Sequence, residues 1–157
     1  MHPNIIRALA SDAADLAALH AQALPPGWPA ADFAASCGNA NRIVLKAMDG
    51  AALAGFAVLQ FAADEAEILS IAVAQEARRR GVAQAMMKAC VAACEEKLIS
   101  YLYLEVAQGN GAALKLYEKF GFRLLAHRKN YYQAARSAPV TALIMRLDIK
   151  RGLSPID

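Results

Sequence analysis

The 157-residue chain is 57% apolar and 20% charged, with a formal net charge of +3. That balance excludes intrinsic disorder, which needs few apolar residues and high net charge, and it is too weakly basic to mark a nucleic-acid binder. It permits contact with small anions such as a nucleotide diphosphate, and the length suits one domain with a continuous core.

Met1-His2-Pro3-Asn4 lacks the basic and apolar regions of a signal peptide. No apolar run approaches the roughly 20 residues of a membrane span. A cytoplasmic protein is therefore expected, with neither a membrane nor a nucleic acid as direct partner. Ile5 to Ala8 reads as a first strand. Ser11 is placed to cap a helix from Asp12 to about Ala23, with Leu16, Leu19 and Ala23 on its apolar stripe. Pro25-Pro26-Gly27-Trp28-Pro29 forces a loop, and a shorter helix runs to about Ser36.

Ile43-Val44-Leu45 and Gly55 to Phe61 read as strands joined through the Asp49-Gly50 turn, and Asp64-Glu65 turns into a strand from Glu67 to Val73. A helix opens at the basic glycine loop around Gly81 and runs to about Lys97. Its inner face is assigned to Val82, Ala85, Met86, Ala89, Cys90 and Ala93. Cys90 and Cys94 have no further cysteine or histidine close in sequence to complete a zinc site, so they read as packing residues and no metal is expected. Tyr101 to Val106 alternates, with Leu102, Leu104 and Val106 on one face and Tyr101, Tyr103 and Glu105 on the other. Gly109-Asn110-Gly111 leads into a helix stopped at Gly121, and Phe122 to about Arg128 and Val140 to Leu147 close the pattern. The order β-α-α-β-β-β-α-β-α-β-β predicts an α/β fold with a mixed sheet. No repeat or linker divides it, so one domain over residues 1–149 and a tail over 150–157 are expected.

The chemistry concentrates between Ile68 and Lys97. A helix N-terminus offers unpaired N–H groups and a positive dipole end, which suit phosphate. Gly81 allows close approach, Ala83 is small enough to continue the cradle, and Arg78, Arg79 and Arg80 can add charge-assisted hydrogen bonds. The bland alternative is a solvated basic turn. It is neither a P-loop, lacking the GK[ST] ending, nor a dinucleotide G-x-G-x-x-G.

Arg78-x-x-Gly81-x-Ala83 resembles the Q/R-x-x-G-x-G/A signature of the GNAT superfamily of N-acetyltransferases. Leu69 to Val73 before it, Tyr101 to Val106 after it, and Asn110-x6-Tyr117-x3-Gly121-Phe122 are similar to the segments around that signature. A narrower similarity is to the branch that acetylates the N-terminal alanine of a small-subunit ribosomal protein. Ile71-Ala72-Val73, Leu104-Glu105-Val106, Leu116-Tyr117-Glu118 and Arg128-Lys129-Asn130-Tyr131-Tyr132 carry it. Ala83 stands where a second glycine is common, and Gln133 to Thr141 lacks the acidic residues usual before the last strand.

The resemblance implies a mixed, mostly antiparallel sheet flanked by helices on both faces, with acetyl-CoA as co-substrate. It implies that Ile71, Ala72 and Val73 meet pantetheine, that Arg79, Arg80, Gly81, Val82, Ala83 and Gln84 hold pyrophosphate, and that Asn110 lies near the thioester arm. Glu105 would be the general base and Tyr117 the general acid. The N-terminal peptide of a ribosomal protein would be the acceptor. Tyr131 and Tyr132 on one side and Trp28 on the other offer a peptide groove, to which Asp64-Glu65 would attract basic residues. Taken alone, Trp28 is equally a core anchor, Tyr131 and Tyr132 sheet packing, and His127 a sheet-edge residue rather than a base. Two other readings stand beside this one: acetylation of a small amine, and a non-catalytic acyl-CoA-binding or ribosome-docking module.

Overall fold

The computed structural model describes residues 2–129 and 141–149. Its seven strands are β1 (Asn4–Arg7), β2 (Arg42–Asp49), β3 (Ala52–Ala62), β4 (Glu65–Val73), β5 (Tyr101–Ala107), β6 (Arg123–Arg128) and β7 (Ala142–Asp148). They form one sheet in the order β1-β2-β3-β4-β5-β7-β6. Five of the six pairings are antiparallel and only β4 with β5 is parallel. The helices are α1 (Ala13–Ala23), α2 (Ala30–Cys37), α3 (Val82–Glu96) and α4 (Gly111–Lys119). The expected mixed, mostly antiparallel sheet between helices is therefore the observed one. Tyr131, Tyr132 and the expected tail over 150–157 lie outside the described residues.

Strand periodicity explains the two-sided core. Phe56 and Val58 of β3 join Leu16 and Leu19 of α1 and Phe33 of α2 on one face. Ala57 and Leu59, the alternate residues, join Met87, Cys90 and Cys94 of α3 on the other. The rings of Phe33 and Phe56 meet edge to face at 5.2 Å, which adds about 0.5–1.5 kcal/mol to their burial. The β2–β3 hairpin zips as far as the Asp49–Ala52 pair, where Gly50 at φ 62° supplies the left-handed turn residue.

Two local readings change. Asp12, not Ser11, is the residue before the first helical residue of α1, after a short 3-10 turn over Ala10–Asp12. Its carboxylate accepts the Leu9 N–H at 2.8 Å and pairs with Lys46 of β2 at 2.8 Å, so the acid binds the chain entry to the sheet. The inward stripe of α3 comprises Val82, Met86, Met87, Cys90 and Cys94, with Ala85, Ala89 and Ala93 only half-buried. Met87 and Cys94 reach the core cluster under β3 and β4, while the alanine side chains end short of full burial.

Burial pushes the thiols of both Cys90 and Cys94 up to about 12. Because the thiolate is the reactive species, neither should react with a thiol reagent at about pH 8 in the native protein, and both should react in denaturant. Peptide mapping of labelled protein checks this. Fast native labelling of either residue would contradict the packing.

Candidate functional site

The parallel pairing of β4 and β5 is short. It runs from Glu65–Tyr101 to Ile68–Leu104 and then stops, although β4 continues to Val73 and β5 to Ala107. Beyond Ile68 the β5-facing edge of β4 is left without a strand partner, while β3 still pairs its other edge as far as Val73. An edge of this kind presents backbone donors and acceptors to an extended ligand.

A bulge lies at the same place. Val58 pairs with Ser70 but Leu59 pairs with Ile68, so Leu69 is the extra residue. A bulge reverses the side-chain parity downstream. Glu67 and Ser70, an odd number of positions apart, therefore face the same helices, α1 and α2.

After β4 the chain makes a 3-10 turn over Gln75–Ala77 and a sharp loop into α3. Arg79 (φ 63°) and Gly81 (φ 81°) both take the left-handed conformation. An added Cβ at Gly81 would meet nothing within 4 Å, so that backbone faces open space at the start of α3. There it borders a cleft of about 660 Å³. Its walls include Ile71, Ala72 and Val73 of β4, Arg78, Arg79 and Gly81 of the loop, Val82, Ala83 and Gln84 of α3, and Asn110 and Tyr117 at α4. Of the ten residues expected to meet a cofactor, nine line this one cleft. Arg80, between the left-handed Arg79 and Gly81, does not, and Arg78 lines the wall instead. Asn110 also caps α4, its Oδ1 accepting the Ala113 N–H at 3.2 Å.

A second cavity of about 440 Å³ is lined by Trp28, Asp32, Arg42, Glu67, Ile68, Leu69 and Glu105. The two cavities adjoin along β4, since Leu69 borders one and Ile71 the other. Glu105, on the first residue of β5 past the parallel pairing, has its Oε2 3.0 Å from Nη1 of Arg128 on β6. Burial holds the Glu67 carboxyl above the usual range, with the like charge of Glu105 adding to the effect and Arg128 opposing it. Arg42 is tied down, donating from Nε to Gln60 and from Nη1 to Ser36, both at 2.9 Å. Asp32 and Glu67 were not legible as site residues. The Asp64-Glu65 turn is absent from these walls; Glu65 instead accepts the Tyr103 hydroxyl at 3.2 Å. Tyr117 is buried beside Phe122, with ring centroids 5.7 Å apart, and lines the first cavity rather than the second. His127 is exposed on β6, the outermost strand, as its sheet-edge reading requires.

The core-anchor reading of Trp28 fits its packing. Trp28 packs on Phe33 at 5.4 Å and on His20 at 5.0 Å, and it also forms a wall of the second cavity. Desolvation holds the pKa of buried His20 below the ordinary imidazole value. A depressed imidazole pKa stabilises the fold above about 6.5, and that contribution is lost as pH falls below it. Among the described residues, no group of three or more His, Cys, Asp or Glu side chains is placed to hold a metal. No helix there is long and apolar enough to cross a membrane.

A mixed sheet split between two parallel strands, with a glycine loop and helix start bordering a cleft beside the split, is the class of fold this site defines. The chain belongs to the Acetyltransferase (GNAT) family, whose model matches residues 13–122; members use acetyl-CoA. It is 33% identical over 122 residues to the ribosomal protein bS18-alanine N-acetyltransferase of Escherichia coli, covering 78% of this chain and 81% of that one. The corresponding enzyme of Haemophilus ducreyi is 34% identical over 109 residues, covering 69% and 75%. The crystal structure of the Escherichia coli ribosomal-protein-alanine N-acetyltransferase superposes with a TM-score of 0.87 at 28% identity, over 94% of both chains.

Proposed function

We propose that this chain transfers the acetyl group of acetyl-CoA to the N-terminal amine of a protein, with alanine as the first residue and a ribosomal protein as the source, as the names of its bS18-alanine N-acetyltransferase relatives say of them. The observation that carries this reading is the adjacency along β4 of a basic cleft and an acidic pocket. One fits a pyrophosphate and an extended thiol arm; the other fits a cation.

The cleft suits acetyl-CoA on its own features. Gly81 leaves room for phosphate oxygens, the first N–H groups of α3 and the Arg78 and Arg79 guanidinium groups supply donors, and the unpaired edge over Ile71, Ala72 and Val73 suits the amides of pantetheine. Val82, Ala83 and Gln84 continue the cradle, and Asn110 and Tyr117 of the α4 segment line the same cleft.

In the transfer, a bond forms from the acceptor nitrogen to the acetyl carbon as the carbon–sulfur bond breaks, and the second proton that the nitrogen sheds on becoming an amide ends on the departing sulfur. Glu105 takes the ammonium proton, directly or through water, and Arg128 orients its carboxylate. An α-amine has a pKa of about 8, so deprotonation at neutral pH costs only about 1 kcal/mol, within reach of a carboxylate. Tyr117 supports the departing sulfur. Full proton transfer from a phenol of pKa about 10 to a thiolate of about 8.5 is uphill by about 2 kcal/mol, so a hydrogen bond that strengthens as charge develops is the economical arrangement. Asp32 and Glu67 add negative potential for a cationic peptide, and Trp28 forms a wall of its pocket.

Lysine, at about 10.4, costs roughly 3 kcal/mol more to deprotonate than an α-amine, which favours the N-terminus as acceptor. A short peptide beginning with alanine, followed by basic and aromatic residues, should be acetylated on its α-amine. The same peptide with a blocked N-terminus and a free lysine should be poor. Mass spectrometry that places the acetyl group on lysine, or finds only small amines modified, would remove the protein N-terminus from the proposal and leave the family assignment standing.

A further inference from the structure

Among the buried polar groups, His20 has no part in the chemistry above, yet it touches the Trp28 loop, α2 and β4, three of the segments that line the acceptor pocket. It lies on α1 and is only 4% exposed. Its Nδ1 accepts the backbone N–H of Trp28 at 3.0 Å. Its Nε2 is 3.2 Å from the Ser70 hydroxyl. Because a backbone amide can only donate, Nδ1 must be the bare nitrogen; the neutral ring then carries its proton on Nε2 and donates it to Ser70. Three rings hold the imidazole edge to face: Trp28 at 5.0 Å, Phe33 of α2 at 5.6 Å and Phe56 of β3 at 5.4 Å.

Both hydrogen-bond partners occupy special positions. Trp28 belongs to the Pro-rich loop, where no strand or helix fixes the backbone, and its side chain is a wall of the acceptor pocket. Ser70 follows the bulged Leu69, another wall, and precedes Ile71 of the cofactor cleft. Only the bulge turns Ser70 toward α1. A phenyl ring would satisfy the aromatic packing equally well, so packing does not explain an imidazole here. Two directed bonds do.

We infer that His20 is a positioning residue for the acceptor: one imidazole ties the Trp28 loop to the β4 bulge and so sets the width of the pocket between Trp28 and Leu69. The inference rests on the acceptor reading of that pocket. Its effect should fall on the acceptor, because both side-chain bonds of the ring go to Trp28 and Ser70 and neither goes to the loop or helix α3 that border the cleft. Replacing His20 by Phe keeps a ring and removes both bonds. It should raise the acceptor KM about tenfold, the loss expected for two neutral hydrogen bonds, and leave the acetyl-CoA KM within about twofold. His20→Asn, whose Oδ1 stands near the place of Nδ1, should restore most of the loss through the Trp28 bond. Ser70→Ala should raise the acceptor KM a few-fold and give a second measure if His20→Phe does not fold.

Trp28 is the sole tryptophan of the chain, so its fluorescence reports on the loop without any acceptor. Acrylamide quenching should rise in His20→Phe and in Ser70→Ala relative to wild type, and least in His20→Asn. The kinetics use whichever amine the wild-type enzyme acetylates. A wild type that prefers a small amine thus overturns the peptide reading while the His20 test proceeds. Unchanged acceptor KM and unchanged quenching in the folded variants would overturn the inference, as would equal rises in both KM values.

Discussion

Glu105→Gln is expected to lower kcat by about 10²–10⁴, the usual loss on removing a general base, with little change in acetyl-CoA affinity. The substitution keeps the shape of the side chain but removes the charge that pairs with Arg128. A thermal melt beside the kinetics separates loss of that ion pair from loss of the base; a partly exposed pair of this kind contributes only about 0–1 kcal/mol. Tyr117→Phe should also slow turnover, and less for acyl donors with better leaving groups, since those need less help at sulfur. Tyr117 is buried against Phe122, and removing one hydroxyl there leaves the packing intact. If both variants keep near-wild-type kcat between about pH 6 and 9, neither residue has the role proposed. Glu67, the second carboxylate of the pocket, would then be the first alternative to test, because burial already holds its pKa up.

The second large effect is on the co-substrate. Gly81→Val should weaken acetyl-CoA binding at least tenfold, on the order of 1.4 kcal/mol or more, while the fold persists. An added Cβ meets no protein atom within 4 Å, so the bulk projects into the open space that phosphate oxygens would occupy. The left-handed φ of 81° means that any side chain there adds about 1–2 kcal/mol of backbone strain. Gly81→Ala carries the same strain with little bulk and is the control. Calorimetric titration should rank affinities glycine, alanine, valine, with the gap between alanine and valine reporting the cradle itself. Equal affinity for all three in folded protein would mean that the phosphates do not lie against this loop.

Much of the architecture was legible because local rules decide it. Alternation in Tyr101 to Val106 placed Glu105 on the polar face, and the structure buries Leu102, Leu104 and Val106 as that pattern requires. Glycines fixed the turns at Gly50, Gly81 and Gly121, each at positive φ. The loop that borders the cleft was legible for the same reason, since its cradle is built from consecutive backbone. The pocket beside it was not. Asp32, Arg42, Glu67 and Glu105 come from four separate elements, and nothing in the spacing of those residues says that they meet.

By itself, then, the sequence determined the order of elements, the glycine loop at the start of α3, and the family whose motifs surround it. Each of these depends on contacts between near neighbours in the chain or on backbone conformation at single residues. The tertiary structure alone decided where β4 and β5 part, and which way β4 faces after Leu69. Burial alternates without a break from Glu65 to Val73, because Ala66 and Ile68 are covered by α3 while Ser70 and Ala72 are covered by α1 and its neighbours. A period of two in the residues records only that alternate side chains are covered. Which layer covers them depends on the register with β3, a long-range pairing that carries Ser70 to His20, while the equally long-range pairing with β5 brings Glu67 near Glu105.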